Sequence, residues 1–364
     1  MFSIPVSADN WNKEKNELNS SLTFEHNSNL FNSQVKTADS SLRLAADYNL
    51  VKLFEGYGIQ LPVNINRVTY QDNKQLNNTA YSVSPAARLF LSESSNLEFN
   101  VYKAETYSLP GQQANEFNQN AAIYKTDNQS ASVGLKLGKA PQQAFLNSQL
   151  ALTERSRDSI ENNQAQKIRS AKLALTYGFK ISEDTYFLSN LGFDDESRQQ
   201  QDSQHGQLGL GFYTKAGGSH NLSFIIGKYQ REQDNRQDGI YWQLQDNWQI
   251  AENIGLTLSS YQLSEVSYET NSLSQLRIQN SAGLTYIASN EHQLNIGLSH
   301  NKVELENDSQ TSSQINLSLG WHWQLLDYFS VSSSIKTNQS KYDFANIDAK
   351  IDQTLASIRG HFSW

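Results

Sequence analysis

Cysteine is absent from this 364-residue chain, proline occurs only five times and methionine once. Without thiols there is no disulfide framework and no thiolate-bound metal. Scarce proline leaves long stretches able to donate every backbone N–H, as extended strands require. Also missing is any run near the ~20 apolar residues that a membrane-spanning helix needs. No basic run stands out and the net charge is −8, so phosphates would be repelled and a nucleic-acid partner is not expected. No low-complexity linker divides the chain, and one domain is the simplest organisation.

What the chain has instead is alternation. Apolar residues recur at every second position in short runs bounded by turn chemistry. Examples are Leu18, Ser20, Leu22, Phe24, then Ala171, Leu173, Leu175, Tyr177, Phe179, then Ile315, Leu317, Leu319, Trp321, Trp323. A period of two marks strands with one apolar and one polar face. One run passes through Pro85, and the parity of Tyr186–Phe193 is open. The last run places Thr354, Ala356, Ile358, Gly360, Phe362 and Trp364 on one face and Leu355, Ser357, Arg359, His361 and Ser363 on the other.

Such runs number about 18, an even count, as closed antiparallel barrels of bacterial membranes require. Their connections alternate in length. Short ones (Ser92–Ser95, Ile181–Asp184, Ala216–His220, Ala251–Asn253, Ala288–Glu291, Leu326–Tyr328) are interleaved with longer polar ones. The longer set is Gln71–Thr79, Ala104–Asn128, Arg155–Lys167, Asp194–Gln204, Ser264–Ser274, Val303–Ser312 and Asn338–Ile351. Short periplasmic turns and long outer loops have this rhythm. Aromatic residues gather beside the short turns: Tyr48, Tyr177, Phe179, Trp248, Tyr286, Trp321, Trp323, Phe329, Phe362 and Trp364. Rings with a polar tip suit a headgroup boundary. No repeated motif points to a solenoid or propeller.

The expected fold is therefore all-β: a closed antiparallel up-and-down transmembrane β-barrel of residues 17–364. An N-terminal segment, 1–16, precedes it. Within that segment Val6-Ser7-Ala8 before Asp9 has the small-residue character of a signal-peptide end.

Residues between the apolar ones should line the interior. By that parity Arg43, Arg88, Lys136, Lys172, Arg277, Lys336 and Arg359 face inward, against two clear inward acids, Asp47 and Glu98. The remaining acids are expected in loops, as Asp194-Asp195-Glu196, Glu265 with Glu269, and Glu304 with Glu306 and Asp308. A basic lumen inside an acidic chain would concentrate anions, unless those cations are paired. The longest loop, 104–128, with Pro110-Gly111, Glu105, Glu116, Tyr107, Phe117 and Tyr124, could fold inward as a constriction or lie over the mouth.

Catalytic constellations are missing. The histidines are scattered, and adjacent strand residues such as Ser299, His300 and Asn301 point to opposite faces, so they form no triad. His322 and His361 share the inward parity near the turn end. No metal-ligand spacing appears, Asp194-Asp195-Glu196 reads as a solvated acidic loop, and no cofactor is expected.

The strand-turn rhythm, segments such as Ala171–Phe179 and the terminal Ile358-Arg359-Gly360-His361-Phe362-Ser363-Trp364 resemble the outer-membrane β-barrel porin families. The resemblance is especially to the barrel type found among exopolysaccharide gene clusters. The resemblance implies a bacterial outer-membrane location, contact with lipid and lipopolysaccharide, and assembly by machinery that reads a terminal aromatic strand. With the basic lumen read above, the expected function is a passive channel for anionic solutes or an anionic exopolysaccharide; the export version, with a periplasmic partner, is what the resemblance alone implies. No functional residue carries over from the family. A non-conducting barrel that serves as a scaffold or binds a surface partner remains the alternative.

Overall fold

The structure, a computed structural model, describes residues 11, 13–109, 124–138, 142–159, 165–198, 201–217, 219–232, 236–267, 274–305, 310–344 and 347–364. Nineteen strands are described: β1 (Lys15–Asn27), β2 (Asp39–Phe54), β3 (Tyr57–Tyr70), β4 (Asn78–Val83), β5 (Ala86–Ser92), β6 (Ser95–Ser108), β7 (Tyr124–Leu137), β8 (Ala144–Ser159), β9 (Ala165–Ser182), β10 (Thr185–Arg198), β11 (Gln201–Ala216), β12 (His220–Glu232), β13 (Arg236–Ala251), β14 (Ile254–Val266), β15 (Ser274–Ile287), β16 (His292–Leu305), β17 (Thr311–Leu326), β18 (Phe329–Phe344) and β19 (Ile347–Ser363). A short 3-10 turn, Lys74–Leu76, interrupts the loop between β3 and β4.

Strands β4 and β5 both pair with β3 and with β6, so they form one stave broken at Ser84-Pro85. Proline has no N–H for the ladder, yet its carbonyl still accepts the Val101 N–H at 3.0 Å. The molecule is thus a closed antiparallel barrel of 18 staves. β1 pairs with β19 from Asn19↔Ser363 to Asn27↔Leu355 and seals the sheet. The Trp364 N–H donates to the Leu18 carbonyl at 2.9 Å, and the Leu18 N–H returns a bond of 3.3 Å.

Alternation decides which face meets which medium. Leu22, Phe24, Leu44, Val101, Leu152, Leu208, Leu317 and Ile358 are all exposed on the outside of the sheet. A soluble protein would bury such a belt. On β9 it runs from Ala171 to Ile181, matching the ~9–11 residues with which a tilted strand crosses hydrocarbon.

The strands outrun the sequence expectation at the long-loop end. β10 continues through Asp194–Arg198, β8 to Ser159 and β18 to Phe344. Segments assigned to long loops (155–167, 194–204, 338–351) are therefore mostly strand. Apolar alternation ends where the lipid ends, whereas the backbone ladder needs no apolar side chains to continue.

Inside, one wall is packed rather than wet. Tyr186, Leu188, Ile225, Tyr229 and Tyr241 form a buried cluster, with Phe145 and Tyr213 against it. Glycines make room for these rings. Phe145 lies over its cross-strand partner Gly178, and Tyr229 lies over Gly239. Cross-strand aromatic cover compensates for the side chain that glycine lacks.

Candidate functional site

The interior divides into two walls of different chemistry. On the sealing wall one cross-strand row reads His322, Ser332, Arg359, Thr23, Arg43. Thr23 is buried between the two arginines, and the Arg359 Nε–H donates to its Oγ1 at 3.0 Å. Lys336 stands on β18 four residues nearer the loops than Ser332, a rise of roughly 14 Å along the strand. Asp47 accepts a hydrogen bond from Asn64, and Glu25, two residues from Thr23, shares its inward parity. Among the described residues, Arg43, Arg359, Lys336 and the inward Lys136 on β7 form no ion pair.

The other inward cations are paired. The Arg88 Nε–H and Nη2–H donate to Glu98 Oε2 at 2.9 and 2.6 Å, while the Arg88 guanidinium stacks 4.8 Å from the Trp11 ring. Trp11 lies within the barrel against Val51 and Ala86. The Arg277 Nε–H donates to Glu265 Oε1 at 2.5 Å and its Nη1–H to Asn301 at 3.2 Å. Lys172 bonds Asp194 and lies 3.7 Å from Glu196.

Lys172 belongs to a second row, Lys172, Asp194, His205, Arg231, Gln237, across β9–β13. Arg231, only 1% exposed, donates to Glu196 at 2.8 Å, to Ser203 at 3.1 Å and to Ser264 at 3.1 Å. This corrects the sequence expectation. Asp194, Glu196 and Glu265 are inward strand residues rather than loop acids, so the lumen is not basic throughout. Parity alone would have found them had the polar stretch been read as strand.

The same extension of β8 and β10 turns Arg155, Arg157 and Arg198 inward near the long-loop end, and sequence reasoning missed all three. Arg157 lies 3.7 Å over the Tyr124 ring, and Arg198 donates to the Ser267 carbonyl at 3.2 Å.

The turn-end aromatics lie on the outside. His292, Trp321 and Trp323 stack with centroids 5.6–5.8 Å apart. Phe329 stacks on Phe362 at 4.6 Å and Phe362 on Trp364 at 6.3 Å. Trp248 packs on His220. Tyr177, Phe179 and Tyr286 are exposed, and the Tyr48 hydroxyl donates to Asn16 at 3.0 Å. His322 and His361 lie on β17 and β19 with β18 between them. The core of the expected constriction loop, residues 110–123, lies outside the described residues, as do residues 1–10 with the expected signal-peptide end.

At the loop end Asp39 anchors the turn after β3. It accepts bonds from the backbone N–H groups of Ser40, Asp72 and Asn73 and from the Asn73 amide, at 2.7–3.2 Å. Burial works to raise its pKa, but these hydrogen bonds prevail and hold the carboxyl below its ordinary value.

No protein-family model and no curated protein sequence matches the chain. Solved structures do. The outer membrane protein OpdK of Pseudomonas aeruginosa superposes with a TM-score of 0.56 at 10% identity, over 96% of this chain and 99% of that one. OccK2 (OpdF) of the same organism gives 0.56 at 9% identity, over 96% and 98%. The FrpB iron transporter of Neisseria meningitidis gives 0.53 at 8% identity, over 97% and 82%. These likenesses establish the fold. With the exposed apolar belt, they make the chain a barrel of the bacterial outer membrane. They lend no support to the association with exopolysaccharide gene clusters.

Proposed function

We propose that the protein is a passive outer-membrane channel favouring small anionic solutes, which travel along the sealing wall formed by β18, β19, β1 and β2. The observation that carries this reading is the contrast between walls. Arg88, Lys172, Arg231 and Arg277 are matched by Glu98, Asp194, Glu196 and Glu265, whereas among the described residues three inward cations of the sealing wall, Arg43, Arg359 and Lys336, form no ion pair, against Lys136 alone among the expected inward cations elsewhere. Unpaired cations beside low-dielectric walls concentrate anions. The similar barrel OpdK has been solved with vanillate, a carboxylate, which favours the same chemical class here. No chemical step and no cofactor belong to this reading.

The test is single-channel conductance in a planar bilayer under a salt gradient. An anion-selective current that turns towards neutral in Arg43→Ala/Arg359→Ala supports the channel. A cation-selective wild-type current rejects the anion path.

A second reading, a closed barrel acting as a scaffold, is favoured by the packed wall around Tyr241 and by Trp11 within the barrel. Absence of current from correctly folded protein would establish it over the first.

A further inference from the structure

The wall is not laddered up to its rim everywhere. β13 begins at Arg236 and β14 ends at Val266, but their pairing stops at Trp242↔Gln262. Beyond that point β13 stays paired with β12 as far as Arg236, and β14 with β15 as far as Val266↔Ser274. Two hairpins thus diverge at the loop end. At the fork the Gln262 Nε2–H donates to the Ile240 carbonyl at 2.7 Å, so a side chain serves an acceptor where the ladder has stopped.

Alternation shows where the second hairpin goes. Leu284 is exposed on the outside. Leu276 and Ser274 share its parity on β15, as does Ser264, the cross-strand partner of Leu276. All three nevertheless touch residues of the inner face. Leu276 packs against the buried cluster of Tyr186, Leu188, Ile225, Tyr229 and Tyr241. The Arg231 Nε–H donates to Ser264 Oγ at 3.1 Å, and the Ser274 hydroxyl donates to Gln237 Oε1 at 3.3 Å. The Ser267 carbonyl accepts from Arg198 at 3.2 Å. The outer face of the β14–β15 end therefore lies on the inner face of β12–β13, within the lumen, with Ser264, Ser267 and Ser274 buried. Stacked sheets stand about 10 Å apart, and this layer narrows the channel.

We infer that residues 263–267 and 274–277 form a flap that gates the channel by exchanging two sets of bonds. The inference rests on the channel reading above. Docked, the flap makes the contacts just named. Lifted, β14 resumes its interrupted register, with Leu263 opposite Tyr241, Ser264 opposite Ile240 and Glu265 opposite Gly239. Ladder bonds then replace side-chain bonds, which gives the hairpin two discrete positions rather than a continuum. The alternation of both strands suits the lifted wall too, with Ser264 and Ser274 facing out and Glu265 and Arg277 facing in. β15 remains paired with β16 up to Gln275↔Leu305, so the flap turns about that side, and the β13–β14 edge is the one that opens and closes. Lifting it widens the lumen and bares Arg231 to the solute path.

The absence of cysteine makes the test direct. Two double variants of the full chain are folded into lipid vesicles and treated with a short bifunctional methanethiosulfonate. Gln237→Cys/Ser274→Cys reports the docked position and Ile240→Cys/Ser264→Cys the lifted one. While the flap is docked, Ile240 is exposed outside the wall and Ser264 touches Arg231 inside it, so only lifting brings that pair together. A heat-modifiable band on gels confirms that each variant folds, and the single-cysteine variants supply the baseline current. Both pairs should link, as read by mass spectrometry of the digested chain. Conductance should be about twofold higher with the lifted link than with the docked one, because a layer about 10 Å thick has left the lumen. Thiol reduction should abolish the difference. A docked pair that links while the lifted pair never does makes the hairpin a fixed part of the wall and overturns the flap. The reverse result overturns the docked position. Both links formed with equal currents overturn the gate. No current from any form, linked or reduced, rejects the channel reading and the gate with it, and the links alone then decide between one hairpin position and two.

Discussion

Tyr241 on β13 lies across Gly209 on β11, two strands away, with its ring passing over Gly227 on the strand between. A Cβ at Gly209 would overlap the tyrosine hydroxyl, which reaches on to Asn190 at 3.5 Å. Gly209→Ala should therefore cost about 1–3 kcal/mol by overpacking, measured by urea-dependent unfolding from vesicles. In a Tyr241→Ala background the same change should cost clearly less, because only the Ile225 Cγ2 methyl, 2.9 Å from the added carbon, still has to move. Equal costs in both backgrounds would show that the ring does not need the glycine.

The Arg231–Glu196 pair is buried at both ends, at 1% and 5% exposure. Removing Arg231 leaves Glu196 only Lys172, 3.7 Å away and shared with Asp194, and breaking a buried pair costs about 3–5 kcal/mol. Arg231→Met should lower unfolding stability by that order, and Arg231→Met/Glu196→Gln should restore most of it. A double variant as unstable as the single would mean that Ser203 and Ser264, not the carboxylate, are the partners that matter.

Neutralising Arg277 should not act like neutralising Arg43. Arg277→Gln leaves Glu265 without its closest partner and should shift ion selectivity towards cations. Arg277→Gln/Glu265→Gln should return it close to wild type. The reversal potential in a salt gradient reads both, and an unrepaired shift in the double variant would assign Arg277 to the unpaired set.

The lowered pKa of Asp39 sets a pH window. Its folded value lies below its unfolded value, so its contribution is complete above the ordinary carboxylate pKa and disappears as pH falls through the folded one. The protection factor of the Asn73 amide against hydrogen exchange should stay high at neutral pH and fall below about pH 4. Asp39→Asn should leave that amide weakly protected at every pH. Unchanged protection of the Asn73 amide down to pH 2 would remove Asp39 as the anchor.

The barrel was legible because lipid imposes a strict rule: every second residue is apolar for as long as the strand is in hydrocarbon. Ala171–Phe179 and Ile315–Trp323 show it without interruption, and the sealing strand follows from the same count. The charge map was only half legible. Arg43 and Arg359 fell inside alternating segments, so their inward parity could be read directly. Asp194, Glu196 and Glu265 lie where the outer face has turned polar and nothing in the residue types separates strand from loop. Pairing is not a property of one segment either. Glu98 reaches Arg88 across a hairpin, but Arg231 reaches Glu196 from two strands away, and no local pattern announces that contact. Pro85 looked like one more member of an apolar series because it preserves the alternation while removing a donor.

The seam between β1 and β19 joins residues from almost opposite ends of the chain. Hairpins form through local contacts, but this last pairing closes the largest loop in the sheet, and its entropic cost falls on one step. Until then both edges display unpaired N–H and C=O groups and remain open to pairing with other chains. Arg43 and Arg359 stand on opposite sides of β1, and they become neighbours of Thr23 together only when that step is complete. An anion held between them would therefore bind the finished barrel and not its precursor. Solute present during folding would then draw assembly forward by mass action.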